Sequence, residues 1–285
     1  CYTGARPVFI DADPDTWNIS PPHIEKKVSP RTKAIIAVHL FGLMADMAEI
    51  RAIAKRRGLR VVEDAAESHG ATGSGFRAGA ASDIATFSFY ANKNLTTGEG
   101  GMVLTDNEEL WKKLRYFKNL CFKLDGPRDF LHEDIGFNYR LSNVHAALGL
   151  AQVEKADDYK AMRQKNGRLY RELLAEVPGI AFQKEPEGYE NVYWMNAITI
   201  SPEEYGRTKD ELIEHLTQQR VGTRLLFAGM HRQPALRKYG CDVSGAYPVT
   251  DHLYDNGFYL PSSNTLDADD ISRVCAIIRE FSAAS

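Results

Sequence analysis

Two short apolar runs, residues 34–39 and 59–62, bracket a segment of helical periodicity, and this pattern restricts the fold more than any other feature of the chain. The first run is rich in Ile and Val, as a buried strand is. Residues 45–57 then place Met47, Ile50, Ile53 and Ala54 on one helical face, and Gly58 stands where a left-handed cap would end the helix. Lys55, Arg56 and Arg57 fall in its last turn, where cations suit the helix dipole. Strand, helix and strand in this order predict two parallel strands joined by a right-handed crossover. Such sheets collect ligands at the carboxyl ends of their strands, and the second run ends in Glu63-Asp64-Ala65-Ala66-Glu67.

A further strand is predicted over 84–89, and Lys93 follows it just ahead of a glycine turn, in Ser88-Phe89-Tyr90-Ala91-Asn92-Lys93-Asn94-Leu95-Thr96-Thr97-Gly98-Glu99-Gly100-Gly101. An amine and a carboxylate at the ends of neighbouring strands can hold pyridoxal phosphate from both sides. Lys93 would form an imine with its aldehyde, and Asp64 would pair with the protonated ring nitrogen, which keeps the ring able to absorb electrons. Ser88, Thr96, Thr97 and Gly98 offer hydroxyls and N–H groups for a phosphate. Each residue also has a plainer reading: Lys93 as an exposed loop lysine, Asp64 as a turn former. Glu67 could bond the ring hydroxyl or be a solvated helix-face charge. His39 shapes a strand end or takes part in catalysis.

Composition narrows the function classes. With 285 residues and 44% hydrophobic content, the chain can form a large α/β domain over 1–155 and a connecting helix with a smaller α/β domain over 156–285. A net charge of −3 with scattered basic residues gives no case for nucleic acid. Four cysteines without a CxxC argue against a disulfide framework or a metal cluster and fit a reducing compartment. No signal peptide and no apolar run of membrane-spanning length are visible, so a cytoplasmic enzyme is expected. The glycines of 70–79 lack the dinucleotide spacing and no helix follows them. Asp11-x-Asp13-x-Asp15 lacks the Gly and Glu of a calcium loop, since Thr16 and Pro22 stand there, and His132-Glu133-Asp134 has no second histidine four residues on. No metal is expected. The start, Cys1-Tyr2-Thr3-Gly4-Ala5-Arg6-Pro7, runs straight into strand-like Val8-Phe9-Ile10, so a fragment is expected.

Further elements follow. A strand is predicted over 102–104, then a helix with Thr105 and Glu108 as a capping box. One long helix over 143–177, capped by Ser142, would connect the two domains, with Gly167 as a bend. Strands over 193–200 and 223–227 alternate with helices from Lys209, capped by Thr208 and Glu211, and over 267–282.

Most of the chain resembles the DegT/DnrJ/EryC1/StrS family of sugar-nucleotide aminotransferases. The resemblance is carried by residues 8–42, 61–70, 82–105 and 136–152, by Gly222-Thr223-Arg224, and by Tyr259-Leu260-Pro261-Ser262; residues 88–101 are its most specific part. Phe89-Tyr90-Ala91-Asn92-Lys93 with Val192-Tyr193-Trp194-Met195 is similar to the perosamine-forming branch, which aminates a GDP-4-keto-6-deoxymannose. The resemblance implies the fold-type-I, aspartate-aminotransferase-like architecture: a mostly parallel sheet with helices on both faces plus a smaller C-terminal α/β domain. It implies pyridoxal 5'-phosphate on Lys93, ring-nitrogen contact at Asp64, phosphate contact at Ser88, and Asn138 reaching the phosphate of the neighbouring subunit. A homodimer with shared active sites, an amino-acid donor (L-glutamate) and a 4-keto-6-deoxy sugar nucleotide are implied with it. Two departures stand out: Glu67 sits where many members have glutamine, and the family's opening segment, with its Gly-Thr phosphate turn, is absent from the sequence. The alternatives are the dehydratase branch, which has histidine at the place of Lys93 although residues 225–229 have something of its look, and an inactive or regulatory relative.

Overall fold

The computed structural model describes residues 1–127 and 129–282, and two four-stranded sheets organise them. The first half contains helix α1 (Pro21–Lys27), strand β1 (Ala34–Val38), α2 (Met47–Arg57), β2 (Arg60–Asp64), the hairpin β3 (Thr72–Gly73) and β4 (Phe76–Arg77), β5 (Ile84–Ser88), β6 (Gly101–Leu104) and α3 (Glu108–Lys118). There follow α4 (Asn143–Val153), α5 (Ala156–Leu174), β7 (Ile180–Phe182), β8 (Asn196–Ile200), α6 (Pro202–Tyr205), α7 (Lys209–Gln218) and β9 (Arg224–Leu225). The chain closes with α8 (Pro234–Lys238), α9 (Pro248–Asn256), β10 (Gly257–Leu260) and α10 (Ala268–Phe281).

The first sheet runs β1-β2-β5-β6. Strands β1, β2 and β5 are parallel, and β6 is antiparallel to β5. The βαβ unit is the one expected. Asp46 caps α2 by accepting the Glu49 N–H, and Gly58 ends it at φ 65°, a left-handed conformation that favours glycine. Met47, Ile50, Ile53 and Ala54 of α2 pack on Ile35, Ala37 and Val61. The opposite face leaves Ile36 62% exposed.

The second sheet, β7-β8-β10-β9, is antiparallel throughout. Every residue of β8 and β10 is buried, since α5, α7 and α10 cover them with Tyr170, Leu174, Leu212, Leu216, Ile271 and Ile278. Each such side chain contributes roughly 1.5–3 kcal/mol of burial. A third cluster, including Trp17, Phe41, Leu226, Leu253 and Tyr259, joins the two sheets. At the same junction Asp11 accepts N–H groups from Ala12, Val249 and Thr250 and the Thr250 hydroxyl.

Several local expectations are corrected. Val8, Phe9 and Ile10 belong to no strand. The helix expected over 143–177 is two, broken at Lys155 (φ −112°, ψ 9°). Gly167 makes no bend; a Cβ there would lie 2.5 Å from the Tyr193 ring, so glycine permits close approach. Asn107 caps α3 by accepting the Leu110 N–H, while the Thr105 hydroxyl donates to Asp83 O and ties the end of β6 to the start of β5. Prolines at the first turns of α1, α8 and α9 mark helix starts that the sequence reading passed over.

One buried acid fixes the ends of the first sheet. Glu63 is fully buried and accepts from His39 Nε2 (2.8 Å), Gly79 N (2.9 Å), Ala81 N (2.8 Å) and the Ser82 hydroxyl (2.7 Å). His39 Nδ1 accepts the Ala45 N–H, so its proton sits on Nε2. Burial alone would push the Glu63 carboxyl up; the donors outweigh it and hold the group below the usual range. Glu63→Ala strands these donors in a dry site. It is expected to cost about 3–5 kcal/mol in urea unfolding; a loss within experimental error of zero would show that the acid is no brace.

Candidate active site

Strand register decides which side chains meet. Val38, Asp64 and Thr86 stand side by side across β1, β2 and β5, and Ser88 lies two residues beyond Thr86 on the same face. The ladder continues past the strands through His39 N–H to Asp64 O (3.0 Å) and Ala65 N–H to Thr86 O (2.8 Å). Asp64 is half-buried, and its Oδ1 accepts the Ala66 N–H at 3.1 Å. The turn then carries Glu67 inward, where it is 8% exposed and accepts the Phe41 N–H at 2.8 Å. Phe41 adopts a left-handed conformation (φ 60°), rare for a bulky residue. Glu67 is therefore no solvated helix charge. Burial pushes its carboxyl up to about 7, the Asp64 charge pushes the same way, and the Phe41 N–H and Lys93 pull against them.

Lys93 enters from the turn after β5. Its N–H donates to Tyr90 O, and the turn is closed by Phe89 N–H to Gly100 O and Thr97 N–H to Phe89 O. Its Nζ lies 3.8 Å from the centroid of the Trp194 ring, whose Nε1 donates to Asn92 O at 2.9 Å. Burial lowers the amine below the ordinary lysine value, while the charges of Glu67 and Asp64 raise it. Lys93, Glu67 and Asp64 thus form one electrostatic cluster. Ser88 accepts the Tyr90 N–H at 3.2 Å and keeps its hydroxyl proton free to donate. The remainder of the expected phosphate cradle is turned inward. Thr96 and Thr97 donate to Phe89 O and Glu99 O, and the Gly98 N–H is taken by Thr96.

An amine within electrostatic reach of two carboxylates at the carboxyl ends of parallel strands suits cofactor-assisted amine chemistry, and comparison with known proteins specifies which kind. Residues 1–279 match the pattern of the DegT/DnrJ/EryC1/StrS aminotransferase family. The chain belongs to this family. It is 38% identical over 282 residues to the GDP-perosamine synthase of Escherichia coli O157:H7, spanning 98% of this chain and 74% of that protein. The GDP-perosamine synthase of Caulobacter vibrioides is 36% identical, with 97% and 73% covered. The crystal structure of S. venezuelae DesV superposes with a TM-score of 0.91 at 32% identity, covering 100% of this chain and 74% of that one. The α/β fold is thus that of DegT-family aminotransferases, which are pyridoxal-phosphate-dependent enzymes of sugar amination.

In this DegT-family chain Asn138 makes its contacts away from the cluster. It bridges to Asn119, accepts from Arg140 Nε at 2.9 Å, and is exposed. Sequence reasoning missed the walls of the pocket. Phe227 stacks on Phe41 (6.2 Å) and Trp194 (6.4 Å), and Tyr259 meets Phe41 edge-on at 5.5 Å. Among the described residues the buried Tyr259 hydroxyl has no partner, and burial with the Glu67 charge pushes it above the ordinary tyrosine value. His69, wedged between Phe87 and Phe89, finds no partner in good geometry for either ring nitrogen. Burial lowers it to about 4 and the Lys93 charge acts the same way, against a weak pull from the Ser88 main chain. Trp194 and Tyr259 lay inside segments that carry the family resemblance, but an isolated aromatic has no periodic signal to separate wall from core. Among the described residues no helix is long and apolar enough to cross a membrane.

The Glu67 environment sets a pH dependence. From the ordinary glutamate value of 4.5 up to about 7, the folded chain holds a proton that the unfolded chain has released, so stability falls as pH rises through that window. Glu67→Gln keeps the acceptor for Phe41 and removes the charge. In cofactor-free protein it is expected to gain on the parent by up to ~3 kcal/mol between about pH 5 and about pH 8, read from urea unfolding at both. An advantage that does not change with pH would contradict a buried, proton-holding Glu67.

Proposed function

We propose that this chain carries the catalytic residues of a transaminase that moves an amino group from L-glutamate to the ketone of a 4-keto-6-deoxy sugar nucleotide, as in GDP-perosamine formation. The supporting observation is the half-buried Lys93 amine within electrostatic reach of both Glu67 and Asp64.

The residues present fit pyridoxal phosphate. The Lys93 amine suits its aldehyde, the half-open Asp64 carboxylate its ring nitrogen, Glu67 its ring hydroxyl and the Ser88 hydroxyl its phosphate. The unpartnered Tyr259 hydroxyl is a buried polar atom in the same neighbourhood, consistent with a polar occupant. When bound, the cofactor supplies an electron-withdrawing ring that acidifies the α-hydrogen of an attached amino acid.

The protein supplies proton handling and positioning. Burial depresses Lys93 toward the range in which a free amine takes a proton readily. Lys93 Nζ takes the proton from the donor α-carbon and, in the second half of the cycle, delivers one at sugar C4. The Trp194 ring beneath Nζ covers one side of the amine. Specificity for the sugar lies in the loop that bears Phe227.

The reading includes a homodimer with shared sites. Around Asn138, the segment up to α4 exposes Phe130 (70%), Ile135 (93%), Tyr139 (72%) and Val144 (72%), and α4 itself buries no residue. An apolar surface of this density on a water-exposed helix calls for a partner. A second copy seated there would bring Asn138 toward the partner's phosphate site.

Two outcomes test this in the natural-length enzyme. Lys93→Ala is expected to lower glutamate-dependent amination of GDP-4-keto-6-deoxymannose by roughly 10²–10⁴-fold; turnover at the parental rate would end the proposal. Leu150→Glu is expected to shift the protein to monomer in light scattering and to remove activity with it. An active monomer would refute shared sites.

A further inference from the structure

We propose that Cys1 and Cys241 form a peroxide-sensitive thiol pair that closes reversibly into a disulfide, a modification site separate from the amination pocket. Their sulfurs lie 3.8 Å apart, in van der Waals contact, across 240 positions of sequence. A disulfide requires an approach of about 1.8 Å from there.

The two ends differ in the way such a closure needs. Cys241 is buried (9% exposed) and anchored after α8, its N–H donating to Leu236 O at 3.0 Å. Cys1 is half-buried and sits on a short turn held by Gly4 N–H to Cys1 O (2.9 Å) and by the Tyr239 hydroxyl to the same oxygen (3.1 Å). The other two cysteines contrast with the pair. Cys275 is fully buried in the second core, where burial pushes its thiol up to about 12, and Cys121 is 1% exposed; among the described residues neither touches another thiol.

The bond would lock an interface that polar contacts already draw together. Lys27 Nζ donates to Phe9 O (2.7 Å) and meets the Tyr247 hydroxyl (3.3 Å), and Asp11 clamps the start of α9 through Val249 and Thr250. The stretch from β9 to Cys241 also bears Phe227, which stacks on Phe41 and Trp194. Oxidation therefore restrains the segment that walls the pocket.

The chemistry balances with a hydroperoxide as oxidant. The more accessible Cys1 thiolate attacks the O–O bond, becomes a sulfenic acid and releases an alcohol or water. The Cys241 thiol then displaces the sulfenic oxygen as a second water and forms the S–S bond. Two electrons and two protons leave the two thiols, and a reducing thiol reverses the change.

The test is treatment of the natural-length protein with hydrogen peroxide, alkylation of remaining thiols and peptide mapping, beside Cys1→Ser and Cys241→Ser. The expected result is a Cys1–Cys241 cross-linked peptide, lost on adding dithiothreitol and absent from both variants. A rise in Tm of roughly 5–10 °C is expected on oxidation of the parent only. Both cysteines still alkylated after peroxide, sulfinic acid on Cys1 without a cross-link, or a cross-link joining two chains would each overturn the proposal.

Discussion

Adjacent acids at the end of β2 face opposite ways, and the site depends on that alternation. Glu63 turns into the core and gathers four donors from two separate segments, His39 after β1 and the stretch 79–82 before β5. Asp64, one residue on, turns to the open face beside Thr86 and in line with Ser88. One carboxylate fixes where β1, β2 and the approach to β5 end, and its neighbour stays half-open for chemistry. A register slip of one residue would exchange the two, burying Asp64 and leaving Glu63 in water.

Above this frame the balance of charge is local. Lys93 is pushed toward its neutral form by burial and toward its charged form by Glu67 and Asp64. Burial likewise pushes Glu67 toward its neutral form, up to about 7, against the Phe41 N–H and the Lys93 charge. Groups poised in this way can exchange protons at little cost, which is what amine transfer asks of them. Beside them Phe41, Trp194, Phe227 and Tyr259 pack ring against ring, joining the segment after β1 to the second sheet.

Much of the frame was legible because local rules and tertiary packing agree there. The parallel pair β1 and β2, the caps at Gly58, Ser142 and Thr208, and the strand leading to Lys93 all carry short-range signals. The family followed from the motif around Lys93. What escaped depends on long-range partners. Val8, Phe9 and Ile10 have strand-like side chains, but a strand needs a neighbour to pair with. Thr96 and Thr97 look like phosphate ligands in sequence, yet each hydroxyl is taken by a nearby carbonyl. The Glu63 brace joins segments 24, 16 and 18 positions away at His39, Gly79 and Ala81, a distance at which spacing carries no signal. For the same reason nothing around Cys1 and Cys241 marks them as neighbours.

The most direct test of the account is chemical trapping of the cofactor. Natural-length protein incubated with pyridoxal phosphate, reduced with borohydride and digested should yield one modified peptide, carrying the cofactor on Lys93. Asp64→Asn should weaken that labelling without moving it. Label on a different lysine, or none at all, would contradict the placement of the amine between Asp64 and Glu67 as the reactive centre.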